Sequence, residues 1–423
     1  MLDIKFIREN LELCKQAAAN KNRDVDWDGL LALDEKRRKL ISETEMLRKK
    51  RNEISGQGTG DRVQGAVDVE QQKKGKEIKQ ELKTLDEELR SVEEQFGLLM
   101  LTVPNVPDES VPVGKDATGN KEVKTWGKIP QFSFSAKDHI ALAKALDLID
   151  FERGAKVGGF RKYFLKNEAV QMELALMFYT LQKLVAKGYT PLIAPALVKG
   201  FTLFGSGQFP WGQDEVYKME KDDLYLAGTA EVPVTAYFSD EILNEKDLPK
   251  KFVAFSPCFR REAGSYGKDV KGVYRVHQFN KIEQVIIAPA DTSNSLTLLE
   301  ELLANAEEIL QDLELPYRVL LMCTGEMGEP QVKKYDIEAW MPGRGQYGET
   351  MSDSFMGDFQ ARRLKIRYMA IDGRTVFAHT LNNTALASPR ILIAILENYQ
   401  QKDGSIIVPK VLQNLIGKKV IRR

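Results

Sequence analysis

Histidine and cysteine are scarce, with three of each in 423 residues. Cys14, Cys258 and Cys323 are odd in number and far apart, so alone they build neither a disulfide framework nor a thiolate-rich metal site. A reducing, intracellular setting is the expectation. A three-histidine catalytic metal would consume His139, His277 and His379 together, which makes that class of site a poor fit. Long apolar runs are also missing: a bilayer span needs roughly 20 such residues, and Ile391 to Leu396 is among the longer stretches here. The opening Met1-Leu2-Asp3-Ile4-Lys5-Phe6 mixes charge into its apolar residues, so a soluble, unexported, cytoplasmic protein without a membrane partner is expected. Net charge is absent as well, 61 Lys plus Arg balancing 61 Asp plus Glu. That balance excludes a globally basic coat for nucleic acid or membrane, and no DNA partner is expected. Finally, the chain contains no Gly-x-x-x-x-Gly-Lys-Ser/Thr loop and no Gly-x-Gly-x-x-Gly after a strand. Any nucleotide site must be of another kind than the common cradles on parallel sheets.

What is present is an ordinary globular composition, 43% hydrophobic, on a length that suggests about two or three domains. Leu33, Leu40, Leu47 and Ile54 recur every seven residues, with Arg37, Thr44 and Arg51 at the alternate stripe positions. Ile78, Leu82, Leu85, Leu89, Val92, Phe96 and Leu99 follow at spacings of four and three, the a/d pattern of a coiled coil. Between them Gly56-Gln57-Gly58-Thr59-Gly60 permits a reversal, so the stripes predict two antiparallel helices forming an arm. Its charge is segregated: residues 36–51 carry a net +6 and residues 73–83 a net +3, whereas 84–96 carry −4. A basic flank of this kind suits a phosphate backbone held by counterion release.

Pro104, Pro107 and Pro112 forbid a continuing helix, so 103–125 reads as a connector between an N-terminal helical domain, 1–102, and a second domain, 126–423. In the second domain helical patterns at Glu168 to Ala186 and Leu296 to Asp312 mix with strand-like runs at Phe252 to Phe259, Val273 to Ile287 and Tyr317 to Leu321. Glycine-rich turns rather than crossover helices join several of these strands, which predicts an α+β fold with a mainly antiparallel sheet flanked by helices.

Alternation along Phe259 to Glu262 would set Arg260 and Glu262 on one strand face, opposed to Arg261, while Phe279, Glu283 and Val285 share a face of the returning strand. A guanidinium, a carboxylate and an aromatic ring around one concavity suit an adenine nucleotide. Near the C-terminus Ser388-Pro389-Arg390 precedes an apolar run, with Ser388 expected as N-cap and Arg390 in the first helical turn, where an anion is favoured.

Together these segments resemble the seryl-tRNA synthetases, class II aminoacyl-tRNA synthetases with a long N-terminal helical arm. The likeness covers Met1-Leu2-Asp3-Ile4 to Asn10, Val111-Pro112-Val113-Gly114, and a motif-1-like Gly188-Tyr189-Thr190-Pro191 to Pro195. It continues through Gly205-Ser206-Gly207-Gln208, Thr229-Ala230-Glu231-Val232-Pro233, a motif-2-like Pro257 to Gly267, Asp358 to Arg363, and a motif-3-like stretch ending in Arg390 and Leu396-Glu397-Asn398.

The resemblance implies serine activation by ATP to a seryl-adenylate, then transfer to tRNA(Ser), with tRNA(Sec) a further candidate acceptor. Arg260, Glu349 and Arg390 would carry the catalysis. Arg260 would hold the α-phosphate, Phe279 lie beneath adenine, Glu262 sit near it, and Arg390 meet the γ-phosphate, with Arg261, Thr350 and Met351 also in the ATP site. Glu349 and Ser352 would support ATP and its Mg²⁺ as hard oxygen ligands. Thr229, Ala230, Glu231, Glu283 and Thr384 would form the L-serine pocket. The same resemblance implies a homodimer and recognition of tRNA by the arm. A substrate carboxylate is already ionised at pH 7, so its attack on the α-phosphorus needs positioning and charge neutralisation rather than a general base.

Some positions depart from the family. Its usual Glu-Ile-Ser-Ser-x-Ser is Glu349-Thr350-Met351-Ser352-Asp353-Ser354, its Leu-Asn-Gly-Ser is Leu381-Asn382-Asn383-Thr384, and its Val-Gly-Arg is Ser388-Pro389-Arg390. Asp353 is thereby expected to add a carboxylate close to the metal. The alternative readings are a non-catalytic relative that binds RNA or protein through the arm, and a carrier-protein ligase. Intact Arg260, Glu283, Glu349 and Arg390 disfavour the first, and the long basic arm disfavours the second.

Overall fold

A computed structural model describes residues 1–56, 69–264 and 271–423. The chain divides into two compact units, one of residues 2–19 and 23–104, the other of residues 105–423 with Met1 and 20–22.

The smaller unit is all helical. A short first helix, Ile4–Glu9, is capped by the Asp3 side chain, which accepts from the Lys5 N–H at 2.8 Å. The long helices are α1 (Trp27–Gly56) and α2 (Val69–Thr102), in the two stretches where the heptads predict them. Leu40, Thr44, Leu82 and Val92 are buried between them. Basic residues of α1 are tied to acidic ones of α2 along the flank: Lys36 to Glu88 at 2.8 Å, Arg37 to Glu93 at 3.3 Å and Arg48 to Asp86 at 3.0 Å. Towards the far end Lys49, Lys50, Lys76 and Lys79 are exposed. The expected reversal over Gln57 to Gly60 lies outside the described residues.

The larger unit is built on an eight-stranded sheet of β1 (Lys121–Trp126), β2 (Thr190–Ile193), β3 (Lys250–Phe259), β4 (Gln278–Ala288), β5 (Tyr317–Leu321), β6 (Lys333–Met341), β7 (Gln346–Gly357) and β8 (His379–Ala387), in the order β1-β5-β6-β7-β8-β4-β3-β2. Every neighbouring pair is antiparallel except β2 with β3. Helices α3 (Glu168–Ala186), α4 (Thr292–Asp312) and α5 (Ser388–Asn398) close one face over an apolar core that includes Ile282, Ile286, Leu302, Met351 and Leu381. The opposite face of β4, β7 and β8 carries polar side chains.

The stretch expected as a connector is built into this unit from Asn105 onward. Asn105 donates from Nδ2 to the Pro330 and Met356 carbonyls at 3.0 and 2.8 Å, and residues 121–126 form the edge strand β1. Helix α4 starts earlier than the apolar period suggests, because Asp291 caps it by accepting from the Asn294 N–H at 3.1 Å. Strand β4 starts later than expected. Val273 to His277 form a loop in which Val273 and Val276 are both buried, a spacing of three that a strand cannot give. Among the described residues no helix is long and apolar enough to cross a membrane.

Candidate active site

The polar face of the sheet becomes a site through two irregularities. In the β6–β7 ladder Ile337 faces Met351 but Glu338 faces Glu349, so Thr350 is an extra residue. The bulge shifts the parity of the strand. Glu349 and Ser352, three apart, therefore share the cavity face, while the side chains of Met351 and Asp353 turn into the core and Met351 keeps only an edge on the cavity. In the β4–β8 ladder Ile282 faces Leu386 but Glu283 faces Thr384, leaving Ala385 as the extra residue. Thr384 and Ala387 are thereby brought to one face, beside Glu283 and Lys281.

One cavity gathers Arg260, Glu262, Phe279, Glu349, Thr350, Met351, Ser352, Thr384 and Arg390. The Arg260 guanidinium lies over the Phe279 ring at 5.3 Å, and its Nε donates to the Gly228 carbonyl at 3.3 Å. Glu262 lies beyond the end of β3, at φ +54°, and accepts from Arg275 at 3.1 Å. On the other side, Arg390 donates from Nη1 to the Glu349 carbonyl at 2.8 Å and pairs with its carboxylate at 3.1 Å. Arg390 also donates from Nε to the Tyr274 carbonyl at 3.2 Å and stacks on that ring at 4.5 Å. Burial pushes the Glu349 carboxyl up, but the Arg390 and Lys334 charges outweigh it and hold the group well below the usual carboxylate range. Glu349 is thus an anion on the wall of the cavity that Arg260 and Arg390 also line. Lys334 stands 3.1 Å from Asp336, whose own carboxyl is pushed up to about 7, chiefly by burial.

A second cluster adjoins the first. Thr229 accepts at its hydroxyl from the Glu231 N–H at 3.1 Å. Glu231 accepts from Gln360 at 2.8 Å and from Asn382 at 3.0 Å. Its carboxyl is pushed up to about 7 by burial and by the nearby Glu283 carboxylate, against the lowering charges of Lys281 and Arg260. Thr384 donates to Glu283 at 3.3 Å. Carboxylates and hydroxyls converging in this way suit a small ligand that carries an ammonium and a hydroxyl.

Several positions fall elsewhere than the sequence suggests. Arg261 is exposed, off the cavity, with its backbone N–H on the Glu215 carbonyl at 2.9 Å, because β3 ends at Phe259 and strand alternation stops there. Ala230 is fully buried, packed with Val234, Phe252 and Val285 beneath the pocket, and offers no side-chain polar atom. Ser388 is not the cap of α5: the N-cap is Ala387, and the Ser388 hydroxyl accepts from the Asn280 N–H at 3.4 Å instead. Asp353 does not approach the Glu349 and Ser352 pair, since the bulge turns it into the core, where it is 0% exposed. The tip of the motif-2-like segment, Ser265 to Gly267, lies outside the described residues.

Residues of the cavity that the sequence does not single out include Lys281, Lys334, Tyr274, Arg275, Val276 and Gln331. Lys281 had a signal, since alternation sets it between Phe279 and Glu283 on the same strand face. Tyr274 had none, being placed by an irregular loop.

Known proteins share this architecture. Residues 1–107 match the family described as the seryl-tRNA synthetase N-terminal domain, and residues 215–399 the class II tRNA synthetase core domain shared by the G, H, P, S and T enzymes. The serine–tRNA ligase of Dictyoglomus thermophilum is 46% identical over 426 residues, which is 100% of this chain and 99% of that protein. That of Deinococcus radiodurans is 44% identical over 424 residues, again 100% and 99%. The crystal structure of seryl-tRNA synthetase from Pyrococcus horikoshii, complexed with ATP, superposes with a TM-score of 0.92 at 41% identity, covering 100% of this chain and 99% of that one.

Proposed function

The chain belongs to the seryl-tRNA synthetases, class II enzymes that join serine to tRNA using ATP, and from that premise we propose how its own residues divide the work. The observation that carries the proposal is the adjacency of two chemically different clusters: Lys281 and Thr384 line the cavity of Arg260 and Arg390 and also bond to Thr229 and Glu283.

Arg260 holds the α-phosphate of ATP, with Phe279 under the adenine and Glu262 close to the base. Support for this comes from the stacked guanidinium and ring. Arg390 receives the γ-phosphate, an assignment supported by its place in the first turn of α5, where backbone N–H groups already favour an anion. Glu349 and Ser352 fit a divalent cation in the chemistry of their donors, an ionised carboxylate and a hydroxyl on one face of a bulged strand. Mg²⁺ held there would neutralise charge on the phosphates of ATP. Thr229, Glu231, Glu283 and Thr384 take the serine. Its ionised carboxylate attacks the α-phosphorus in line, the bond to the α,β-bridging oxygen breaks with pyrophosphate leaving, and Arg260 stabilises the charge that develops. A pocket that pairs with a hydroxyl rejects analogues lacking one, because its own buried groups are then left unpaired.

The basic outer arm is the tRNA(Ser) contact, supported by the exposed lysines of α1 and α2. The protein works as a cytoplasmic homodimer, a reading supported by the exposed apolar stripe Val170, Leu174 and Phe178 on α3 together with Ile193 on β2. Serine-dependent exchange of pyrophosphate into ATP tests the scheme. Exchange should require serine and be lost in Arg260→Ala, whereas strong exchange with threonine or proline but not with serine would overturn it.

A further inference from the structure

Lys281 stands at the junction of the two clusters and has no part in the scheme above. It lies on β4 between Phe279 and Glu283, and only 4% of its side chain is exposed. Its Nζ is 2.5 Å from Glu283 Oε2, 2.7 Å from Thr229 Oγ1 and 3.3 Å from Thr384 Oγ1. An ammonium has three N–H donors, and these are three acceptors. They are also the groups assigned to the ammonium and hydroxyl of serine. One cation therefore already occupies the position that the substrate's cation must take.

A buried carboxylate is costly unless it is paired. Glu283 is 2% exposed and Glu231 is its neighbour, so an empty pocket without Lys281 would leave two carboxylates with Arg260 as the cation acting on Glu231 and lose the ammonium in contact with Glu283. We propose that Lys281 is an internal stand-in for the ammonium of the amino acid, holding the pocket assembled while it is empty and yielding to serine by swinging toward the nucleotide side. Lys281 also lines the cavity shared by Arg260 and Phe279, so rotation of its flexible stem is enough to reach that side. There its charge meets the carboxylate of the incoming serine. The exchange is balanced: a zwitterion enters, its ammonium takes the place of the lysine's, and the displaced lysine pairs with its carboxylate.

This inference rests on the serine reading of the pocket. Ethanolamine, which has the ammonium and hydroxyl of serine but no carboxylate, is the discriminating probe. In the full-length wild type it should bind weakly, since it displaces Lys281 without offering that lysine a partner. In Lys281→Met, calorimetric titration should show ethanolamine binding about tenfold more tightly and serine about tenfold more weakly than in the wild type. If both ligands weaken together, Lys281 is a structural residue and the proposal fails. A second measurement does not depend on the variant folding. In a crystal structure of the wild type with serine, Nζ should lie out of hydrogen-bond range of Glu283, and a retained contact would overturn the proposal. A wild type whose exchange answers to another amino acid overturns instead the serine reading beneath it, and it does so without any variant.

Discussion

Asp353 and Asn383 are register partners on adjacent strands, β7 and β8, and both are fully buried on the helix-covered face of the sheet. Both are departures from the family pattern, and they meet each other. Asn383 Oδ1 accepts from Gln284 at 2.8 Å, and Gln284 Oε1 in turn accepts from Asn305 on α4 at 2.8 Å. Burial pushes the Asp353 carboxyl well above the usual range, aided by the Glu300 carboxylate. The fold therefore favours the protonated form of this carboxyl over the ionised one.

The first prediction concerns stability. The folded-state pKa of Asp353 is raised, so between its unfolded value and that raised value the native state keeps a proton that the unfolded chain releases. Its contribution is greatest at low pH and is lost as pH rises, by about 1.4 kcal/mol per pH unit across that window. Asp353→Asn, which removes the titration, should melt above the wild type at pH 8, with the gap closing towards pH 4. Thermal melts at several pH values check this, and a gap that is constant with pH would refute it.

Serine affinity should depend on Glu231. Its carboxyl titrates at about 7, with Glu283, Lys281 and Arg260 as the charges that face it. The hydroxyl of serine donates to the ionised form, so below that pH binding must also release a proton. The KM for serine should rise towards tenfold per pH unit as pH falls below about 7, and level off above it. Glu231→Gln should flatten the profile.

Removal of the Arg390 side chain breaks its contacts with Glu349 and Tyr274. Arg390→Ala should lower the exchange rate by about 10²–10³-fold, the scale for losing one preorganised charged donor. Arg390→Lys should rescue little, because an ammonium cannot reproduce the fork that reaches both partners. Steady-state exchange kinetics distinguish the two variants.

Deletion of residues 36–90 removes the basic flank together with Asp86 and Glu88, which pair with it. Adenylate formation should stay largely intact while charging of tRNA collapses, and in the full chain the KM for tRNA should climb with salt. Equal loss of both activities would make the arm a structural element.

Periodic signals in the sequence were read well. Helix α3 spans Glu168–Ala186 and β5 spans Tyr317–Leu321, as expected, because their apolar positions fall on one packed face. Errors arose where a local interaction interrupts the period. Asp291 extends α4 at its start, His277 and Arg260 close the gap before β4 with a backbone bond of 3.0 Å, and the end of β3 frees Arg261 from alternation. In the site, residue type and local position mark Arg260 and Arg390, whereas Glu349 is named only through the family resemblance. Lys281 has only its alternation with Phe279 and Glu283 to mark it, and the packing of Thr229 and Thr384 around it reveals a buried cation. The extra residues Thr350 and Ala385 left no trace in the pattern, since a bulge is defined by the neighbouring strand.

Those two extra residues also determine which kinds of change the site tolerates. Losing or gaining one residue between Glu349 and Ser352, or between Thr384 and Ala387, would exchange inside for outside along the rest of the strand. A substitution there leaves the parity of the strand intact, whereas an insertion or deletion does not. Libraries aimed at a new amino-acid substrate should vary the letters of β7 and β8 and keep their length fixed.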